Sequence, residues 1–597
     1  MMASMRSGSS RGAPRPGETG ALATAEPWLR SVAAGLLVVL ALVLPFEVPL
    51  FRLGPLQITT VELALYAMLG AWGLGVAADV LGGRARWRTA LARLRRDDMV
   101  RASALWAAIL LASAVVAPSD RAAALKFVLR SVSGILAFFA ARSLGRSRGV
   151  GRSALLALVA GALLSAVTAL VDWVWPGSAP AWNLFHGGTF DALGLRRASG
   201  VFEYPTIGAM YWEAAVPLVI AAPFAWRQDI GARRSLVAVL ASGALSGAIL
   251  ASGTRTALVG AAIACALLAF SGRRSGRLVR RVAAGSLAVL VALSAAVLRP
   301  GLSDSPVGQR LRWWHDDRWF GAQYELPPAP RTVGGGEVFG VPVTLHNTGS
   351  IAWRSAGALP TRLSYHWYLL PDGGDPRLVD FEGNRTALPD DVPPGGAVQV
   401  IGVVRAPPAR GTYRLSWDLV QENVTWFSER GSPVGDQTID VRSASESLPA
   451  EILHAPSALA SPSRASLWRA AVVLWREHPL LGVGPDNFRR RYEAVVPSSD
   501  GAPFADARIH ANSLYFETLT DLGLAGVAGL AGLAVALLRA LRRHWVSGCI
   551  PGLGCAVAAL AFFVHGLLDY FFEFTPLYGL FWVALGLTAA FEPAPPA

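Results

Sequence analysis

Along most of its length the chain strings together apolar runs of roughly 17 to 22 residues, the length a helix needs to cross the hydrocarbon core of a bilayer. Little else can be built from such runs, because a backbone surrounded by lipid has to satisfy its own amides, so each run is read as a helix. About twelve are expected, centred near residues 40, 68, 108, 132, 163, 215, 243, 262, 290, 531, 557 and 582. Composition agrees: 53% of the 597 residues are hydrophobic and only 16% are charged, which excludes an ordinary soluble domain. The fold class is therefore mainly α, a polytopic membrane bundle.

Arginine placement gives the orientation. Arg84, Arg86 and Arg88 follow the second run, Arg142 and Arg146 the fourth, Arg233 and Arg234 the sixth, Arg280 and Arg281 the eighth, and Arg542 and Arg543 the tenth. Short basic loops stay in the cytoplasm, so both termini are expected there and residues 1–28 read as a disordered cytoplasmic tail. The net charge of +13 does not imply a nucleic-acid partner, since the arginines lie between apolar runs and do not interleave with exposed aromatics. Cys265, Cys549 and Cys555 all sit inside apolar runs and form neither a metal-ligand pattern nor an expected disulfide.

Spans one to nine fill residues 29–298, and the stretch from 299 to 509 is then extracytoplasmic and too long for a plain connection. Residues 299–324 read as a loop, and over 325–443 the apolar spacing becomes alternating. In Thr412-Tyr413-Arg414-Leu415-Ser416-Trp417-Asp418-Leu419, Tyr413, Leu415, Trp417 and Leu419 share one strand face. Turn signals at Pro371-Asp372-Gly373-Gly374 and Pro393-Pro394-Gly395-Gly396 divide the region into about seven strands, a β-sandwich pattern. The run Asn347-Thr348-Gly349-Ser350-Ile351-Ala352-Trp353 resembles immunoglobulin-like modules with an N-T-G-x-x-x-W signature. Residues 444–509 read as loop helices, and 510–597 as spans ten to twelve.

Five further segments flank this insert. They are Arg197-Ala198-Ser199-Gly200-Val201-Phe202-Glu203-Tyr204-Pro205, Ser252-Gly253-Thr254-Arg255-Thr256-Ala257, Arg464-Ala465-Ser466-Leu467-Trp468, His478-Pro479-Leu480-Leu481-Gly482-Val483-Gly484-Pro485-Asp486-Asn487-Phe488, and His510-Ala511-Asn512. In their order, and in the long loop between spans nine and ten, they resemble the O-antigen ligase and polymerase superfamily. The resemblance covers most of residues 30–590 apart from the insert, which departs from the common form and leaves the acceptor open. It implies transfer of a glycan from an undecaprenyl-diphosphate donor to a hydroxyl at the outer face of the bacterial inner membrane, in lipopolysaccharide or surface polysaccharide synthesis. The partners implied are that lipid-linked donor, lipid A core or another glycan as acceptor, and membrane lipid.

The residues can be assigned roles on that reading. Breaking the bond from anomeric carbon to diphosphate builds negative charge that guanidinium groups stabilise, and Arg197, Arg255 and Arg464 are the candidates. Arg255 opens a span at its outer end, against the positive-inside trend; snorkelling or an acidic partner would also account for it. His510 stands where the loop re-enters the membrane and, as a neutral imidazole, suits the task of taking the acceptor's proton. Asn512 either orients that imidazole, contacts a sugar, or caps the following helix. Asp569, near the outer end of span eleven, is expected to pair with His510 or an arginine, or to serve as a cap. Glu203, next to Pro205, either contacts an acceptor or balances Arg197, and Glu517 has the same two readings, with charge balance ranked first for each. His315, Asp316 and Asp317 lack the further ligands of a metal site, and no phosphate-binding or dinucleotide-binding loop is present, so neither metal nor cofactor is expected. Ligation to lipopolysaccharide core ranks first, polymerisation of lipid-linked repeats second, and transfer to protein hydroxyls third. A transporter of lipid-linked sugars or a surface sensor is the alternative from another class.

Overall fold

A computed structural model describes residues 18–53, 56–81, 97–182, 184–185, 190–192, 195–226, 231–270, 276–299, 319–327, 332–356, 360–371, 375–381, 383–422, 425–442, 464–492, 495 and 509–591. Much of the basic loop after the second run, and the His315-Asp316-Asp317 cluster, lie outside the described residues.

Each of the twelve apolar runs carries a helix. In chain order these are α1 (Glu18–Val43), α2 (Thr60–Leu81), α3 (Asp98–Val116), α4 (Arg121–Leu144), α5 (Arg148–Val174), α6 (Pro205–Ala221), α7 (Ala232–Ser252), α8 (Arg255–Ala269) and α9 (Arg277–Val297). After the insert come α10 (Arg464–Glu477), the single turn α11 (Phe488–Arg491), α12 (Leu514–Ser547), α13 (Ile550–His565) and α14 (Thr575–Ala590). Among the described residues eight helices are long and apolar enough to cross a membrane, while Trp28–Val43, α8, α13 and α14 are apolar but shorter. The last two each begin with a proline in the first turn, Pro551 and Pro576, which fixes where they start.

The bundle has one continuous core, with α6, α13 and α14 at its centre and almost wholly buried. Peripheral helices instead turn large apolar side chains outward, among them Leu74, Leu129, Val174 and Leu240, all more than half exposed. Small residues set the close approaches: a Cβ on Gly134 would meet the Trp582 ring at 2.5 Å, so α4 and α14 meet at a glycine.

The insert forms two sheets. One has the order Ala397–Arg405, Val338–Asn347, Ala322–Glu325; the other runs Thr386–Ala387, Thr361–Leu369, Gly411–Gln421, Gly435–Arg442, Thr332–Gly334, with Thr425–Trp426 and Arg377–Asp380 attached. Both contribute to a single core around Trp353, Trp367 and Trp417. Tyr413, Leu415, Trp417 and Leu419 are buried as the alternation demands, but Ser416 and Asp418 on the reverse face are buried too. His366, Phe381 and Trp426 cluster there, with the His366 and Phe381 rings stacked 4.2 Å apart and Trp426 inclined to both. The Asn347 motif is structural. Its Nδ2 donates to the Ile351 and Val392 carbonyls (2.8 and 2.9 Å), its Oδ1 accepts from Gly349 N (3.0 Å), and Trp353 pairs with Val392.

Candidate functional site: a carboxylate-bracketed histidine beside a cavity

The site is built around a break in α12. At Gly523 the backbone leaves the helix (φ +62°, ψ −158°), a conformation essentially reserved for glycine, and a Cβ there would lie 2.5 Å from the Leu480 carbonyl. The break frees backbone groups on both sides, which need partners. The loop 479–484 supplies them: Val483 N and Gly484 N donate to the Thr520 and Asp521 carbonyls (2.9 and 3.0 Å), and Leu524 N and Ala525 N donate to the Pro479 and Leu480 carbonyls (2.9 and 3.1 Å). The Ser113 hydroxyl of α3 reaches the Leu481 and Asp521 carbonyls. The Asp521 carboxylate accepts from Asp486 N and Phe488 N at 2.7 and 2.9 Å, holding the start of α11. The motif singled out over 478–488 is thus a clamp on the first two turns of α12.

Those turns carry Glu517, for which sequence reasoning ranked charge balance first. Its Oε2 accepts from Ala511 N (2.7 Å) and its Oε1 lies 2.6 Å from His510 Nδ1. On the other side of the ring, Glu573 Oε2 lies 2.6 Å from His510 Nε2, and Tyr570 packs against the imidazole with centroids 4.9 Å apart. Trp468 Nε1 of α10 donates to the Ala511 carbonyl (2.9 Å). Burial alone would lower the His510 pKa, but Glu517 and Glu573 outweigh it and hold it well above the usual 6.5. This surrounding favours an imidazolium and departs from the expected neutral base. Glu573 is raised by burial, yet His510, Arg489 and Arg130 hold it below 4.5. Arg489 pairs with Asp486 at 2.6 Å and stands 3.8 Å from Glu573 Oε1.

Glu573 also lines a cavity of about 630 Å³, with Glu47, Glu203, Tyr204, Thr575 and Arg130 among its walls. Arg130, on α4, is the guanidinium among the described lining residues; it donates to Thr575 Oγ1 (2.5 Å) and lies over the Tyr578 ring. His510 is 6% exposed and does not line this cavity, so Glu573 stands between the two.

The other sequence candidates fall as follows. Arg197 donates through Nε to the Ser252 carbonyl (2.7 Å) and through Nη2 to Thr254 (3.2 Å) and Thr206 (3.3 Å). This brings it to the start of α8, where Arg255 is the first residue, and beside the cavity residues Tyr204 and Ile207. Arg464 opens α10 with its side chain exposed. Asn512 adopts φ +49° and is not the cap; the N-cap of α12 is Ser513, and the imidazole is oriented by Glu517. Asp569 is a correction as well: its partner is His565, 3.2 Å away and one helical turn earlier, and not His510. His565 Nδ1 in turn meets Glu213 of α6 at 2.5 Å, and Gly260 of α8 makes room for that carboxylate. A second carboxylate–imidazole–carboxylate group is therefore buried in the bundle.

No protein-family model matches the chain, and no curated protein does. Among solved structures, that of Pseudomonas fluorescens alkylpurine DNA glycosylase AlkC bound to DNA containing an abasic site analog is similar over 57% of this chain and 97% of that one. At 11% identity and a TM-score of 0.15, it carries no argument.

Proposed function

We propose that this chain is a membrane-embedded glycosyltransferase that moves a glycan from a polyprenyl-diphosphate donor to an acceptor hydroxyl, in the manner of the O-antigen ligase and polymerase superfamily its motifs resemble. The observation that carries the reading is the juxtaposition of a cavity with a buried Glu517–His510–Glu573 relay that opens onto it through one carboxylate. Lipid would cover the outward apolar side chains of the peripheral helices. The cavity offers carboxylates and an edge-to-face Tyr204–Phe574 pair, 6.3 Å between centroids, chemistry that suits a sugar. Arg197, tied to Thr206 and Thr254, Arg255 at the start of α8, and Arg130 in the cavity wall are the groups that would hold the departing diphosphate. Arg464, exposed on α10, would meet the donor from the loop side. The relay would receive the acceptor's proton, and single displacement would invert the anomeric centre. The insert, read as an immunoglobulin-like sandwich, lies on the extracytoplasmic side in this scheme and would meet the acceptor glycan or a partner.

The test is transfer by the purified chain in detergent, supplied with undecaprenyl-diphosphate glycan and either lipid A core or further donor. Product on core defines a ligase, and a ladder from donor alone defines a polymerase. The absence of both with competent substrates overturns the reading.

A further inference from the structure

We infer that Glu573, and not His510, is the group that takes the proton from the acceptor hydroxyl, and that His510 is a positioning residue held as an imidazolium behind it. This rests on the glycosyl-transfer reading above and deepens it. Two geometric facts and one rule of proton placement carry it. Glu573 lines the cavity and His510 does not. Both ring nitrogens of His510 face a carboxylate at 2.6 Å: Nδ1 is hydrogen-bonded to Glu517, and Nε2 meets Glu573 as an ion-pair contact without hydrogen-bond alignment. An imidazole facing two carboxylates satisfies both only when it carries both protons, because a neutral ring would set a lone pair against one carboxylate. No nitrogen of His510 is then left to receive a proton from a substrate.

The step balances as follows. The acceptor oxygen forms its bond to the anomeric carbon as its proton passes to the Glu573 carboxylate. The bond from that carbon to the diphosphate oxygen breaks, and its electron pair leaves with the lipid diphosphate. The proton on Glu573 then departs through the open cavity, and His510 keeps its charge throughout.

The charged surroundings of the pair are mixed. Arg489 faces Glu573 from α11, itself tied to Asp486, and Arg130 faces it from α4. Glu47 and Glu203 look across the cavity, while Glu517 and Asp521 of α12 lie behind with Tyr570. Since Glu573 lies below the usual carboxylate range, it is ionised through the whole interval in which a free histidine would titrate.

Two measurements test this. Transfer rates of wild type, Glu573→Gln and His510→Gln are followed from pH 5.5 to 9. The expected result is a wild-type rate that changes less than about two-fold between pH 5.5 and 7.5, where a neutral-imidazole base would give a steep rise. Glu573→Gln loses about 100-fold or more at every pH. His510→Gln keeps a measurable rate but gains an acid limb, because its Glu573 has lost its cation. A rate that rises roughly ten-fold per pH unit in wild type, or Glu573→Gln within about three-fold of wild type, overturns the inference while leaving glycosyl transfer intact. The second measurement needs no turnover: imidazole ¹⁵N chemical shifts of the full chain, with His510 assigned by its loss in His510→Gln. Both nitrogens protonated at pH 7.5 is the expected outcome, and a neutral ring overturns it even if no transfer product is ever seen.

Discussion

A histidine between two glutamates ties the stability of its surroundings to pH in both directions. His510 has a folded pKa above its unfolded value of about 6.5, so its contribution is complete below that value and is lost as pH rises through the folded one. Glu573 is depressed below 4.5, so its contribution is present above the unfolded value and is lost as pH falls through the folded one. The apparent Tm in detergent, read by tryptophan fluorescence at a fixed scan rate, is therefore expected to be highest between these limits and to fall on the alkaline side. In His510→Gln the alkaline fall attributable to this group should vanish; an unchanged alkaline slope would contradict the assignment. At this scale the sequence disclosed His510 from its position at a membrane edge, but not its partners. Glu517 was visible seven residues on, at the start of an apolar helix, but was ranked as charge balance ahead of a contact with the acceptor. Glu573 was missed, and Asp569, four residues earlier, was named instead: which of two acids on one short segment turns toward a given imidazole depends on the loop's path.

The break in α12 is the feature that positions Glu517, and its cost is local. Replacing Gly523 with alanine would force a side chain into a glycine-only conformation, a penalty of about 1–3 kcal/mol, and against the Leu480 backbone. The expected outcome is a lower Tm together with a fall in transfer larger than the stability loss explains, since Glu517 would shift with its turn. Asp521→Ala should behave similarly, because it leaves the Asp486 and Phe488 amides buried without acceptors, at about 1–3 kcal/mol for each orphaned donor. Asp521→Asn keeps one acceptor oxygen but sets its NH2 against the other amide N–H, so it should recover at most part of the loss. The twelve helical runs were legible because length and hydropathy suffice for them. The break was not: a glycine in an apolar helix reads as a packing residue, and its backbone partners lie about 40 residues upstream (Leu480 to Gly523).

At the scale of the molecule, the two largest hydrophobic cores of the described chain, one through the bundle and one through the insert, share no residue, and a smaller one lies among the loop helices around Leu467, Val483 and Phe488. Independent cores predict independent unfolding. Residues 319–442 expressed alone should give a cooperative β-rich domain by circular dichroism. Trp417→Ala, at a side chain with no exposure, should destabilise that domain by about 3–5 kcal/mol and leave the transition of the bundle in place; loss of both transitions together would show the cores to be coupled. The strand character of this region was readable from alternation and turns. Its buried reverse face was not, because the residues that cover it, His366, Phe381 and Trp426, come from separate strands and a connecting segment.

The clamp around Gly523 has a consequence for how this protein can vary. Its four bridging hydrogen bonds join main-chain atoms only, so they are indifferent to most side chains on either strand of the junction. What a sequence must keep to preserve it is small: glycine where the backbone turns left-handed, at 482, 484 and 523, and one acid at 521. Two such chains could differ at most other positions of the 479–484 loop and of 520–525 and still hold the same turn in place. A search for relatives that weights chemical likeness over glycine spacing would pass them by.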